Sequence, residues 1–212
     1  MPTSREELAL LANLLYIASH GRQGAETAER LMRRFGSLGN IFGSSPGALA
    51  RLGLPEAQAA LLLAAHPVAR RRAMERLGPS PNLRDPEALR DYVRALYVGV
   101  RNERFIVINL DDKGRLIDAP AVAEGTMREI PLLPRTLLDR VVRAGASSVI
   151  FVHNHPGGQR GFSSSDILST QAFAAVLRSA GVALLDHILF SGGETVSMRA
   201  ACRLPEIFAP PR

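Results

Sequence analysis

The sequence lacks a second cysteine. Cys202 is the only cysteine among 212 residues, so the chain can form neither an internal disulfide nor a cysteine-based metal cluster. It also lacks an apolar run long enough to span a bilayer. The apolar stretch LALLANLLYIA follows Arg5, Glu6 and Glu7, a pattern that favours a helix over an export signal. These absences predict a cytoplasmic protein that does not enter a membrane.

Lysine is almost absent as well. Lys113 is the only lysine, so the formal charge of +6 is carried almost entirely by arginine. The one dense basic run, ARRRAMER, contains Arg70, Arg71 and Arg72. Arginines at such a site could contact nucleic-acid phosphates. Because the charge excess is modest, the pattern favours a solvated surface, and weak DNA binding remains the alternative.

The patterns of apolar residues differ between two parts of the chain. Residues 1–77 show helical periodicity throughout and predict a small all-α domain. Residues 78–86, GPSPNLRDP, concentrate proline and glycine and predict a linker. Residues 87–212 alternate strand and helix patterns, and a hairpin near residues 111–114 opens the series. The second part is therefore predicted to be α/β (α+β), with a mixed sheet flanked by helices.

Two histidines follow a predicted central strand. The apolar run SSVIFV ends at Val152 and leads directly into HNHPGG, residues 153–158. Because alternate residues of an extended chain point to the same side, His153 and His155 can present both imidazoles to one point. Two imidazoles suit zinc, and Asp166, at the start of the next predicted helix, is the candidate third ligand. A histidine pair of this spacing is also frequent by chance.

The segment that carries Asp166 has a second interpretation. Ser163-x-x-Asp166 before an apolar helix is a capping box, which satisfies backbone N–H groups and needs no metal. The two interpretations are compatible, because a cap would hold the Asp166 carboxylate in a defined place.

The residues from 153 to 166, HNHPGGQRGFSSSD, resemble the H-x-H-P-x-G-x(4)-S-x-x-D signature of the JAMM (MPN-type) metalloproteases. The segments RNERFIVINLDDKGRLID, LPRTLLDRVVRAGASSVIFVHNHP and VALLDHILF are similar to the RadC-like branch of that superfamily. The resemblance covers roughly residues 86–203. It implies an MPN-like domain with a curved, mixed sheet. It also implies one zinc ion held by His153, His155 and Asp166.

Further roles are implied by the same resemblance. Ser163 corresponds to a serine that supports the oxyanion of the tetrahedral intermediate. Glu103, in NERF, stands where the family has a glutamate that acts as the base, and Glu124 and Glu129 are the alternatives. The implied reaction is metal-dependent hydrolysis of a peptide, amide or isopeptide bond in a peptide or protein substrate.

Two positions depart from the family's pattern. The family's proline before the motif serine is Phe162 here, and Gly157 replaces a small polar residue, so the resemblance does not extend to the shape of the loop. Asp186-His187 matches a pair typical of the RadC-like branch. For this pair a role behind the ligands, a role at the sheet end and a purely structural role are all open.

The helical part is similar to the helix-hairpin-helix region of RadC-like proteins, over residues 35–66. This implies the alternative function, a DNA-associated module whose MPN domain acts as a scaffold. Such hairpins usually have a second glycine, whose amide approaches a phosphate, whereas Pro55 stands at that place two residues after Gly53. The sequence thus favours a helical bundle that packs on the second part or mediates self-association. The presence of every ligand position argues against a domain that has lost catalysis.

Overall fold

The chain folds into two compact units, Met1–Arg72 and Ala73–Arg212. The domain bounds expected from the sequence, with a linker at residues 78–86, stay a prediction. No helix among the described residues is both long and apolar enough to cross a membrane. The computed structural model describes residues 4–19, 24–124, 134–202 and 204–209.

The first unit is helical. Its helices are α1 (Ser4–Ala18), α2 (Gly24–Phe35), α3 (Leu38–Phe42), α4 (Pro46–Ala50) and the beginning of α5 (Glu56–Leu77). Fully buried aliphatic side chains form its core: Leu11, Leu15, Leu31, Ile41, Leu49 and Leu62. At Gly24 a Cβ atom would lie 2.7 Å from the Ala12 carbonyl oxygen, so glycine permits α1 and α2 to pack closely. Arg70, Arg71 and Arg72 are exposed on α5.

The turn between α4 and α5 uses its own backbone amides internally. Gly53 has a φ of 71°, and its N–H donates to the Ala50 carbonyl at 2.8 Å. The N–H of Leu54 donates to the Leu49 carbonyl at 3.3 Å, and Pro55 has no N–H. Residues 53–55 therefore direct no amide towards a phosphate, and DNA binding by this region stays a prediction that the turn does not favour.

The second unit is a mixed α/β fold with an open sheet, which confirms the predicted fold class. Its helices are α6 (Pro86–Leu96), α7 (Pro134–Arg143), α8 (Ser164–Ser179) and α9 (Met198–Ala201). Its strands are β1 (Arg104–Leu110), β2 (Leu116–Asp118), β3 (Ala121–Glu124), β4 (Ser148–Asn154), β5 (Ala183–Ser191) and β6 (Glu194–Ser197).

The strands lie in the order β2-β1-β4-β5-β6, and β3 also pairs with β1. Only β4 and β5 run parallel among these pairs of described strands. β2 and β3 flank Pro120, at which the sequence RLIDAPAVA, residues 115–123, predicts a break in the strand. The sequence ETVSMRA, residues 194–200, predicts a last strand, and the structure corrects the end of that strand. Strand β6 stops at Ser197. The Ser197 hydroxyl accepts a hydrogen bond from the Ala200 N–H and caps the N-terminus of α9.

The central strand β4 is buried on both faces. Val149 and Phe151 point into a core shared with α7 and α8. Ile150 and Val152 point into a second core, shared with α6. Since side chains alternate along a strand, His153 continues the face that α7 and α8 cover. The candidate site therefore forms where β4 leaves this core.

Candidate metal centre

The carboxyl end of β4 carries both predicted histidine ligands. His153 lies within the strand, and His155 follows its last residue. The N–H of His155 still donates to the Phe190 carbonyl of β5 at 3.0 Å, which keeps the chain extended up to that residue. The N–H of Gly158 then donates back to the His155 carbonyl at 3.0 Å. A φ of 79° at Gly158 allows this tight turn.

Asp166 is held by the N-terminal cap of α8. The Ser163 N–H and hydroxyl both donate to Asp166 Oδ2, each at 2.7 Å. The Asp166 N–H donates to Ser163 Oγ at 3.1 Å. These reciprocal bonds confirm the predicted capping box. They fix a carboxylate that is only 3% exposed.

The three predicted ligands converge on one point. His153 Nε2 lies 3.1 Å from His155 Nε2, and the two nitrogens lie 3.7 and 4.0 Å from Asp166 Oδ2. One ligand atom from each residue lies within 4.8 Å of the others. Two imidazole nitrogens and a carboxylate oxygen are a donor set that zinc accepts. The structure therefore brings together three residues that could hold a metal ion.

The protonation of His155 can be read from its hydrogen bond. His155 Nδ1 lies 3.2 Å from the Gln159 carbonyl oxygen, which can only accept, so Nδ1 carries the proton. In the neutral ring, Nε2 is then unprotonated and faces both His153 Nε2 and the Asp166 carboxylate. Acceptor atoms gathered in this way repel one another unless a cation or a proton lies between them. The donor set thus fits a divalent metal.

Burial determines the charge of the two inner histidines. Desolvation lowers the pKa of His153 to about 4, although the negative charge of Asp166 acts in the opposite direction. Burial also lowers the pKa of His187 well below its ordinary value, and the neighbouring histidines add to this effect. Both rings are therefore neutral at pH 7, the form in which imidazole binds a metal.

The metal-free protein is expected to lose stability as the pH falls below about 6.5. The unfolded chain takes up a proton on His153 near pH 6.5, whereas the folded chain does so only near pH 4. Protons therefore favour unfolding within this window, by on the order of 3 kcal/mol at its lower end for His153 alone. The melting temperature of chelator-treated protein, followed by circular dichroism, should fall between pH 7 and 5. A constant melting temperature over that range would contradict the expectation.

Glu103 lies beside the second histidine across the sheet. β1 and β4 pair antiparallel with Phe105 opposite His153. Continuing that register by two residues places Glu103 opposite His155 and on the same face of the sheet. Glu103 is half-buried and lines the same cleft as the three ligands. The structure thus brings the predicted base to the candidate metal centre.

Asn154, the middle residue of HNH, holds the segment that carries Glu103. Its Oδ1 accepts the N–H of Arg104 at 2.8 Å, and its Nδ2 donates to the Asn102 carbonyl at 3.1 Å. These two bonds flank Glu103, and Asn154 is only 3% exposed. The side chain between the two histidines therefore positions the backbone on both sides of the candidate base.

Glu124, the first alternative to Glu103, lies farther from β4. Glu124 pairs with Arg104 from β3, on the edge of β1 that faces away from β4. It is therefore two strand spacings from β4, about 10 Å, whereas Glu103 is one spacing away. Glu129 lies outside the described residues. The register of the sheet favours Glu103.

The three candidate ligands line an open cleft of about 440 Å³. Its walls include three residues that occupy unassigned positions of the motif: Gln159, Arg160 and Ser165. Ser165 Oγ lies 2.8 Å from Ser163 Oγ, so a second hydroxyl is available beside the motif serine. The only signal in the sequence for these residues is their place between His155 and Asp166.

The Asp186-His187 pair divides between the two faces of β5. His187 is completely buried, and its Nε2 lies 2.8 Å from His153 Nδ1. Asp186 points the other way and accepts hydrogen bonds from the Ser197 hydroxyl and the Arg199 N–H. His187 therefore lies directly behind His153, the first candidate ligand, and Asp186 links β5 to the start of α9.

Comparison with known protein families agrees with this geometry. The sequence profile of the RadC-like JAB domain matches residues 83–203, more than half of the chain. The chain belongs to the RadC-like JAB domain family. The matched segment contains all of the candidate site residues described above. The JAB superfamily includes metalloproteases, and its domains are typically zinc-dependent.

Full-length relatives extend the similarity to the helical part. A UPF0758 protein of Chromobacterium violaceum is 37% identical over 190 residues, which cover 89% of this chain and 84% of the relative. A UPF0758 protein of Bordetella parapertussis is 35% identical, over 90% of this chain and 85% of its own length. One of Cupriavidus taiwanensis is 33% identical, over 92% and 87%. Their names state no activity, so the function must be argued from the site.

Proposed function

We propose that the chain is a zinc-dependent hydrolase that cleaves a peptide, amide or isopeptide bond. One observation carries the proposal: three candidate ligand atoms converge at the end of β4, and the Glu103 carboxylate, just before the neighbouring strand β1, lines the same cleft. Two imidazoles and one carboxylate are a donor set of the kind that catalytic zinc sites use, and it would leave room for water on a bound zinc ion. The family supports the same class of chemistry.

The residues of this site divide the reaction between them. His153, His155 and Asp166 would hold zinc, which supplies a Lewis acid for the scissile carbonyl and lowers the pKa of water. Glu103 accepts the proton of the attacking water and returns it to the leaving amine. This transfer splits the C–N bond, and water provides the new carboxylate oxygen and the amine proton.

A hydroxyl donor for the oxyanion is the remaining requirement. The resemblance assigns this role to Ser163, which borders the cleft. Its proton is directed to Asp166 Oδ2 in this structure, at 2.7 Å. Donation to an oxyanion therefore requires the Ser163 hydroxyl to rotate away from Asp166 during the reaction. Ser165 is the neighbouring hydroxyl, and Arg160 supplies a positive charge on the cleft wall.

Metal content and isotope incorporation test the proposal together. We expect about one zinc ion per chain in the wild type and a background level in His155→Ala, because one of three ligands is removed. His66→Ala is the matched control, since His66 lies in the first unit and packs against Phe42. The wild type, incubated with peptide and isopeptide-linked substrates in ¹⁸O-water, should introduce ¹⁸O into new carboxylates, as read by mass spectrometry.

Two results would overturn parts of this proposal. Equal zinc in the wild type and His155→Ala would show that the ion is not held at this site. Bound zinc without ¹⁸O in any peptide or isopeptide product would remove the hydrolase activity and leave the scaffold alternative.

A further inference from the structure

We propose that Thr170 and His187 form a buried hydrogen-bond relay that holds His153 in the tautomer that binds a metal. Both are positioning residues, and the inference rests on the proposed metal site. The relay runs from the Asp166 carbonyl through Thr170 and His187 to His153. Every member is 3% exposed or less, so no solvent competes for these bonds.

The Asp166 carbonyl oxygen determines which atoms of the relay carry protons. Thr170 Oγ1 lies 2.6 Å from the Asp166 carbonyl oxygen, which has no proton, so the Thr170 hydroxyl donates its only proton there. Thr170 Oγ1 also lies 2.7 Å from His187 Nδ1. Because its proton is already committed, Thr170 accepts this second bond. His187 must therefore carry a proton on Nδ1.

The tautomer of His187 determines the tautomer of His153. His187 is neutral, enclosed by Phe105, Phe151 and Phe162, whose ring centroids lie 5.4 to 5.9 Å away. With its proton on Nδ1, its Nε2 can only accept, and it lies 2.8 Å from His153 Nδ1. His153 therefore carries its own proton on Nδ1. Its Nε2, the atom that faces His155 and Asp166, is left unprotonated for the metal.

The fold couples this relay to the third ligand. Thr170 lies one helical turn after Asp166 on α8, so the same turn supplies both the ligand carboxylate and the carbonyl that starts the relay. His187 reaches the site because β5 contains an irregularity: Leu184 pairs with Val149, but Asp186 pairs with Ile150. β5 therefore has one more residue than β4 at this point. Leu184 and His187 are three residues apart, so regular alternation would place them on opposite sides of the sheet. The extra residue instead places both side chains on the same side.

Removing the Thr170 hydroxyl is expected to reverse the relay. In Thr170→Val, His187 would bury an unpaired Nδ1–H, which is costly, unless its proton moves to Nε2. That proton would then be donated to His153 Nδ1, and the His153 proton would occupy Nε2, the ligand atom. We expect a 10- to 100-fold loss of metal affinity, the range typical for partners of metal-bound histidines.

The test uses Co²⁺ as the probe and the full-length chain. Affinity is measured by competition with a chelator, and coordination by the visible absorption of bound cobalt. Thr170→Val and His187→Phe should each weaken binding 10- to 100-fold, whereas Thr170→Ser, which keeps the hydroxyl, should bind within about threefold of the wild type. The double variant should cost no more than His187→Phe alone, because the two residues act in one chain. His66→Phe is the matched control.

A second readout is independent of affinity. In the ¹⁵N spectrum of the metal-free protein, His153 should show a protonated Nδ1 in the wild type and Thr170→Ser, and a protonated Nε2 in Thr170→Val. An unchanged His153 tautomer and unchanged cobalt affinity in Thr170→Val would overturn the relay, whatever the folding of His187→Phe. A wild type that binds no cobalt would instead overturn the metal site itself.

Discussion

Glu103→Gln is expected to keep its zinc and to lower the rate of hydrolysis by at least 100-fold. The amide has nearly the shape of the carboxylate but cannot accept the proton of the attacking water, and general-base catalysis is typically worth about 10²–10⁴ in rate. Asn154 holds the backbone on both sides of Glu103 through bonds of 2.8 and 3.1 Å, so the substituted side chain should stay in place. The measurement is the turnover of the peptide that the wild type cleaves fastest in the ¹⁸O experiment, with zinc content measured in parallel.

Glu124→Gln is the matched control for this prediction. It makes the same chemical change on β3, beyond β1 from the ligands, and should retain activity within a few fold. Full activity in Glu103→Gln together with a large loss in Glu124→Gln would transfer the role of base to Glu124. Loss of zinc in Glu103→Gln would mean that Glu103 supports the metal rather than the proton transfer.

The candidate ligand set and the elements that carry it follow from local patterns. Alternation along a strand places His153 and His155 on one side, and the capping box predicts where α8 begins and how Asp166 is held. The apolar periodicity of the sequence similarly predicts helices over residues 134–144 and 166–180, where the structure has α7 and α8. These features depend on short-range rules, so a sequence contains enough information to predict them.

The parts that could not be predicted depend on contacts between distant segments. The partner of His153 is His187, which is 34 residues away in sequence. Its face is decided by an irregularity in β5 that no alternation pattern reveals. From the sequence alone, Thr170 cannot be distinguished from any other threonine on the buried face of a helix. Its role appears only when His187 is placed beside it. Asn154 likewise acquires a role only once β1 pairs with β4. Register and bulges are properties of the paired sheet, and single-strand patterns do not contain them.

Ser163→Ala is expected to lower turnover by about 100- to 1,000-fold, the effect of removing one oxyanion donor. The same change removes the cap of α8 and one donor to Asp166 Oδ2, so it should also destabilise the fold. A lost cap costs about 1 kcal/mol, which corresponds to a melting temperature about 2–4 °C lower in a chain of this size. Steady-state kinetics, zinc content and melting curves measured on one preparation separate the three effects.

Ser165→Ala separates the two hydroxyls of the cleft. Ser165 contacts Ser163 Oγ at 2.8 Å but does not bond to Asp166, so its removal should leave the cap, the zinc content and turnover within a few fold of the wild type. Ser163→Thr keeps a hydroxyl at the capping position and should preserve stability. Suppose that Ser163→Ala has a lower melting temperature but normal turnover, while turnover of Ser165→Ala falls by about 100-fold. Ser163 then only shapes the site. The oxyanion donor is then Ser165, because its hydroxyl proton is not committed to a ligand carboxylate.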